Sequence, residues 1–354
     1  MDTQSLHSDI ARTRSARTES AHRAVVWWLR VVAAFVIATL VVGGGTRLTD
    51  SGLSITEWEP IVGVIPPLSE AAWQDALALY RQIPEYQLVN RGMSLDEFKA
   101  IFYWEWAHRL VARSIGLVFA LPLAFFWLRG MLPGWLKPWA LGLLALGGLQ
   151  GAVGWWMVTS GLTERVDVSH YRLAVHLTLA CIILSLAVWL SARAAGRRAT
   201  AAAPGAVTAL GKVLPFLVLG QIFLGALVAG MDAGLASDEW PTMAGALIPE
   251  GLGNLSPWWM NMLENPLTVQ FDHRILGYVV FLAVVAFALA AWRAGVVRGA
   301  SAALAALVTL QVAIGVAVVV MRVPLHLALT HQFVAAVILW VTVDTSTRLT
   351  RRKV

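Results

Sequence analysis

Eight apolar runs constrain this chain more than any other feature. They read at 25–45, 105–128, 138–158, 171–192, 212–231, 270–292, 300–321 and 325–347, each close to the roughly 20 residues a helix needs to cross a bilayer. Lipid offers backbone N–H and C=O groups no partner, so such runs have to satisfy themselves as helices. The expected class is an all-α integral membrane protein with eight transmembrane helices. A composition of 58% hydrophobic and 14% charged residues, far from that of a soluble domain, agrees.

The net charge of +6 speaks to orientation and not to a nucleic-acid partner, because the basic residues stand between spans and form no patch. Arg12, Arg14, Arg17 and Arg23 precede the first span. Arg129 with Lys137, Arg193 with Arg197 and Arg198, Arg293 with Arg298, and Arg348 with Arg351, Arg352 and Lys353 occupy every second connection after it. Excess Lys and Arg marks the cytoplasmic side, so both termini are expected in the cytoplasm. The alternate connections are acidic or mixed, and residues 231–269 hold no Lys or Arg. Residues 1–24 are polar and Arg/Ser-rich; Asp2, Asp9 and Glu19 argue against a transit peptide, and a disordered tail before an uncleaved first helix is expected.

The chain is also written twice. DSGLSITEWEPIVGVIPP, from Asp50, returns as DAGLASDEWPTMAGALIP, from Asp232, pairing Gly52 with Gly234, Leu53 with Leu235, Trp58 with Trp240, Gly63 with Gly245 and Pro67 with Pro249. Downstream, His108-Arg109 matches His273-Arg274, Gln150 matches Gln311, and His176 matches His331. Four spans per half is an even number, so both halves insert in the same sense, as two four-helix bundles in a parallel repeat. The expected division is a tail at 1–24, an N-terminal bundle at 25–193, a linker at 194–211, a C-terminal bundle at 212–347 and a tail at 348–354.

Local signals refine the first large connection. Pro66-Pro67, then Ser69 and AAWQDALALY, predicts a short interfacial helix capped by Ser69, and Ser94 with Glu97 has capping-box spacing for a helix that runs into the second span. In the second half, Ser256-Pro257 reads as a helix start and Asn265-Pro266 as a break. Many Trp sit near span ends, such as Trp27, Trp28, Trp104, Trp106, Trp258 and Trp259, and most of them read as interfacial anchors. Gly43-Gly44-Gly45, and Gly147, Gly148, Gly151 and Gly154, allow close helix approach or room for a flat ligand. The single cysteine, Cys181, rules out an intrachain disulfide and reads as a small buried apolar residue.

Of eight histidines, His7 and His22 lie in the tail, and six sit at or just inside the extracytoplasmic ends of even-numbered spans. One histidine in an apolar helix is ordinarily a core residue; here the site is repeated. Two imidazoles from different helices can approach a planar tetrapyrrole from opposite faces and ligate its iron. The expected pairs are His108 with His176 and His273 with His331. Zinc catalysis ordinarily uses three protein ligands, and two per half is short. His170 and His326 precede the deep pair and fall on another helical face. Arg109 and Arg274 are candidate contacts for haem propionates. The repeat breaks at Glu105, three residues before His108, because the second half has Gln270 there. An ionised carboxylate in a span costs about 2.5 kcal/mol or more on insertion scales, so an acid kept in one copy suggests proton chemistry at one site, with Glu105 as the candidate catalytic residue.

Six segments carry a closer likeness: GGGTRLTDSGLSITEW, FKAIFYWEWAHRLVARSIG, LQGAVGWWMVTSGL, HLTLA at His176, VQFDHRILGY at His273 and HQFVAA at His331. Through these, from the first span to the last, the chain resembles the haem A synthase family. It is similar to the cysteine-free branch found in proteobacteria and mitochondria. The resemblance implies an enzyme of the bacterial inner membrane that oxidises a ring methyl of haem O to a formyl group, through a hydroxylated intermediate, for terminal oxidase assembly. It implies a haem B cofactor at His273 and His331, haem O substrate at His108 and His176, and Glu105 beside the substrate. Haem sites are expected toward the extracytoplasmic side. Membrane lipid surrounds the chain; haem O synthase and an electron donor are candidate partners, and a homo-oligomer is a candidate assembly. A two-haem b-type electron carrier is the rival reading. Parallel duplication, which puts both sites near one face, and the Glu105/Gln270 difference argue against it. A transporter would leave four matched histidines without a use.

Overall fold

The computed structural model of the chain describes residues 3–59, 62–196, 199 and 202–349. Eleven α-helices appear among them: α1 (Thr3–Leu48), α2 (Glu70–Tyr80), α3 (Pro84–Leu88), α4 (Leu95–Leu128), α5 (Leu136–Val158), α6 (His170–Ala194), α7 (Gly205–Gly230), α8 (Asn261–Glu264), α9 (Pro266–Arg293), α10 (Arg298–Val320) and α11 (Leu325–Leu349). Eight of them, all but α2, α3 and α8, are long and apolar enough to span a membrane, so the protein is an all-α, multi-pass membrane protein.

The first helix begins at Thr3, well before residue 25. The segment expected as a disordered tail contains no Gly or Pro to stop a helix and continues the first span backwards. The side chains of Arg12, Arg14 and Arg17, and all of Arg197, Arg198, Arg351, Arg352 and Lys353, lie outside the described residues. Among the described basic side chains of these connections, Arg193 and Lys137 lie over aromatic rings, at 4.2 Å from the Trp135 ring centroid and 5.0 Å from that of Trp127, and Arg348 pairs with Asp344.

In the first half α1 packs against α4 and α6, and α5 against α6; in the second, α7 packs against α9 and α11, and α10 against both α9 and α11. Contacts of α6 with α7 and of α11 with α1 and α6 join the two sets around a core that includes Leu29, Ala33, Leu184, Val188, Val284, Phe287 and Leu339. Trp28 belongs to this core and is no surface anchor. Its ring lies 5.0 Å from Phe119, and its Nε1–H donates to the Val118 carbonyl at 3.1 Å, so a neighbouring helix satisfies its polar edge. Trp27, Trp258 and Trp259 are exposed, as anchors need to be.

The first large loop packs on α4. Ser69 caps α2 by accepting from the Ala72 N–H at 3.2 Å, and Ser94 with Glu97 forms the reciprocal capping box of α4. Trp73, Leu77 and Tyr80 then bury against Phe98 and Phe102, each worth about 1.5–3 kcal/mol for the large apolar side chain removed from water. Inside this cluster the Tyr80 hydroxyl donates to Glu85 Oε2 at 3.1 Å and accepts from Asn90 at 2.8 Å. Burial pushes the Glu85 carboxyl up from 4.5 to about 8, against the opposing pull of the Tyr80 hydrogen bond. A folded-state pKa raised above the unfolded value means that the folded loop holds a proton which the unfolded chain has released. The loop is therefore most stable below pH 4.5, loses stability as pH rises toward about 8, and is insensitive beyond. Amide hydrogen exchange across residues 70–98, corrected for intrinsic rates, is expected to show weaker protection at pH 8 than at pH 6, and Glu85→Gln to remove the difference. Equal protection in the wild type at both values would contradict the assignment.

Candidate functional site

Long helix α4 carries Glu105, His108 and Arg109 on adjoining turns, and the loop that follows α1 folds back onto them. Glu105 is buried. Its Oε2 accepts from Ser54 Oγ at 2.8 Å and from the Ile55 N–H at 2.7 Å; its Oε1 accepts from Arg109 Nε at 3.0 Å and Nη2 at 2.6 Å. Arg109 donates its remaining groups to the carbonyls of Glu57 (2.8 Å) and Ile55 (2.7 Å). The carboxylate and guanidinium thus fasten a repeated loop to its helix, with every charge-assisted bond made inside the protein.

The second half repeats the arrangement with opposite polarity. The buried Gln270 amide donates to the carbonyls of Gly234 (3.2 Å) and Ser237 (2.9 Å), and Arg274 donates to those of Thr242 (3.1 Å) and Ser237 (3.5 Å). Where the first loop offers an N–H and a hydroxyl, which need an acceptor, the second offers carbonyls, which need a donor. The exchange of Glu105 for Gln270 therefore has a structural cause beside the chemical one expected. Both arginines, read from sequence as propionate contacts, are turned onto loop carbonyls.

The four deep histidines share one construction. Each imidazole lies against a glycine of a neighbouring helix, so closely that a Cβ there would stand 2.6 Å from His108 Cε1 at Gly43, 2.8 Å from His176 Cε1 at Gly154, 3.1 Å from His273 Cε1 at Gly225 and 2.9 Å from His331 Cε1 at Gly315. Four residues before three of these glycines stands a glutamine on the same helical face. Gln150 Nε2 donates to the His176 carbonyl (3.0 Å) and lies 3.1 Å from its Nδ1. Gln221 makes the same contacts with His273 at 2.9 and 3.1 Å, and Gln311 lies 3.0 Å from the His331 carbonyl and 3.3 Å from its Nε2. Gln221 was missed in the sequence reading. Its signal is the shared spacing Gln-x-x-x-Gly in LQGAVG, GQIFLG and LQVAIG. On α1 the corresponding position is Thr39, whose hydroxyl donates to the Phe35 carbonyl of its own helix at 2.9 Å, so His108 has no glutamine against it.

His273 and His331 face one another with ring centroids 6.5 Å apart and planes at 68°. That spacing would leave room for both imidazoles to hold one haem iron. Buried atoms without a protein partner converge on the histidines: Nδ1 of His108 and of His331, and Oε1 of Gln150, Gln221 and Gln311. The donor set is imidazole, neutral amide and glycine backbone, which fits a haem rather than a bare cation. His170 stands apart. Its Nε2 lies 3.6 Å from Glu264 without a hydrogen bond, and Tyr171 beside it hydrogen-bonds the same carboxylate, so Tyr171 joins α6 to α8. His326 is exposed at the start of α11.

Comparison with known proteins follows the same lines. The family model described as "Cytochrome oxidase assembly protein" matches residues 26–343. Among curated proteins, the chain is 54% identical over 328 residues to a protein named "Heme A synthase" from Chelativorans sp. (strain BNC1), covering 91% of each chain. It is 52% identical over 332 residues to the protein of that name from Brucella anthropi, with 92% of each covered, and 50% identical over 340 residues to that from Brucella ovis, with 95% of each covered.

Proposed function

Because the chain belongs to the cytochrome oxidase assembly protein family, we propose that it is a haem A synthase, an oxidoreductase that converts a ring methyl of haem O to a formyl group through a hydroxylated intermediate. The observation that carries this reading is the histidine pair facing across 6.5 Å in the second half, matched by two histidines of the same glycine-backed construction in the first. A carrier of electrons alone has no use for a second pair whose surroundings differ at Glu105 and Thr39.

In this reading His108 and His176 hold haem O, and His273 and His331 hold haem B, which when bound supplies one-electron chemistry. Residues 25–193 form the substrate bundle and residues 212–347 the cofactor bundle. Glu105 holds or moves a proton beside the substrate, with Arg109 keeping the carboxylate in place and Ser54 and Ile55 supplying donors. The loop over Glu105 keeps bulk water from that carboxylate. The basic connections favour cytoplasmic termini in a bacterial inner membrane, with both haem sites toward the opposite side. Haem O synthase and an electron donor are the partners this chemistry calls for.

Liquid chromatography with mass detection of haems extracted from the purified protein tests the reading. Expression without haem O synthase should yield haem B alone, and expression with it should add haem A or its hydroxylated precursor. Haem B alone in both cases, with haem O available, would support the electron carrier instead. The glutamines give a separate check. Gln221→Leu and Gln311→Leu remove partners that orient the cofactor histidines and are expected to weaken haem B retention by about 10–100-fold and to move its midpoint potential. Unchanged potential and retention in both variants would show that the amides serve packing alone.

A further inference from the structure

The two halves differ at one helix seam. In the second half α9 and α10 pack closely, whereas the matching α4 and α5 of the first half meet only weakly. The sequences aligned on the glutamines explain where contact is lost. LLALGGLQGAVG (143–154) stands against LAALVTLQVAIG (304–315), so Gly147, Gly148 and Gly151 take the positions of Val308, Thr309 and Val312. On the partner helix, counting from His108 and His273, Gly116 takes the position of Phe281, which packs against the core. The buried stripe of α5, Leu136, Ala140 and Leu143, is interrupted from Gly147 until Val158, while that of α10 runs through Ser301, Leu304 and Val308 to Ile314. A Cβ built at Gly116, Gly147, Gly148 or Gly151 meets nothing within 4 Å. These glycines do not serve close packing; only Gly154 does, against His176. The thinning lies within two helical turns of Gln150 and so at the level of the histidines, where the buried His108 Nδ1 and Gln150 Oε1 lack partners.

We propose that the first half is open to the bilayer between α4 and α5, and that this seam admits the tetrapyrrole substrate sideways from the lipid, while the closed α9–α10 seam retains the cofactor. The inference rests on the first half being the substrate site. A lipid-dissolved macrocycle meets a helix bundle edge-on, and replacing one phenylalanine and two valines by glycine clears a slot for its apolar edge. The half that has to exchange its ligand at each turnover is the half that lacks these side chains.

The test exchanges the seams. Protein carrying haem B is placed in nanodiscs and mixed with phosphatidylcholine vesicles that contain haem O, and uptake is followed by absorbance. Gly147→Val with Gly151→Val is expected to slow uptake by about tenfold or more, with haem B content unchanged. Conversely, Val308→Gly with Val312→Gly is expected to speed loss of haem B to apomyoglobin by a similar factor. If wild-type uptake persists after His108→Ala with His176→Ala, the substrate-site reading itself is wrong. If uptake needs those histidines but runs at the wild-type rate in the valine variant, entry through this seam is excluded and the site stands. A closing variant that loses haem B has been damaged generally, and the opening variant alone then decides: unchanged haem B loss from it overturns the proposal.

Discussion

Glu105→Ala is expected to stop formyl formation entirely and to destabilise the protein by about 3–5 kcal/mol, the cost of breaking a buried ion pair by removing one partner. The alanine leaves the Arg109 guanidinium without its anion at 2.6 Å and strips the Ile55 N–H and Ser54 hydroxyl of their acceptor. Loop and helix should separate together, so loss of activity in this variant would say nothing about chemistry. Glu105→Gln separates the two roles. Its amide keeps the shape of the side chain and one acceptor oxygen for the Ser54 hydroxyl and the Ile55 N–H, though not the charge that Arg109 meets, so the protein should be less destabilised than the alanine variant and still bind haem with a near-normal absorption spectrum. A carboxylate that handles protons cannot be replaced by an amide, and haem A output should fall by about 100-fold or more, at the lower end of what positioned acid–base groups contribute. Near-normal output from Glu105→Gln would leave the residue as a loop anchor only.

The second large effect is expected at the cofactor pair. His331→Ala removes one of two imidazoles that stand 6.5 Å apart, and with it one of the two residues proposed to hold haem B. Losing an outer-shell partner of a metal ligand costs about 10–100-fold in affinity, and losing the ligand itself should exceed that. Purified His331→Ala, and His273→Ala likewise, should retain little haem B by pyridine haemochrome assay. Haem O supplied to them should still perturb the first-half site. Full haem B content in the double variant His273→Ala with His331→Ala would move the cofactor elsewhere.

What could be read from the sequence was either local or repeated. Ser69, Ser94 and Glu97 were legible because a cap is decided by residues within one turn. The four histidines stood out because duplication preserved them in apolar surroundings. Gln221 was hidden because the comparison ran between halves, and its counterpart on α1 is a threonine; the structure relates single helix pairs, each with a glycine facing a histidine. The grip of Glu105 on Ser54 and Ile55 joins positions some 50 residues apart and leaves no periodicity to detect. Trp28 was misread because an indole near a span end has the same sequence signature whether it faces lipid or core. The glycines of α5 were seen, but only helix separation tells close packing from open space.

The three consecutive glycines of α1 carry a consequence for how this protein can vary. Successive residues of a helix point about 100° apart, so Gly43, Gly44 and Gly45 present bare backbone to three separate neighbours: His108, Gln332 and Trp104. A methyl group would stand 2.6 Å from the first and 2.5 Å from the third, and would overlap the Gln332 amide in between. Gln332 directly follows His331 and donates to the Leu40 carbonyl at 2.7 Å, so this turn of α1 abuts His108 of one half and the residue after His331 of the other. In a saturation library scored for haem content, the tripeptide should form an unbroken block where even alanine is rejected, inside a helix whose lipid-facing positions accept most apolar residues. A one-residue insertion upstream on α1 should be as damaging, since it turns every one of these bare faces toward the wrong neighbour.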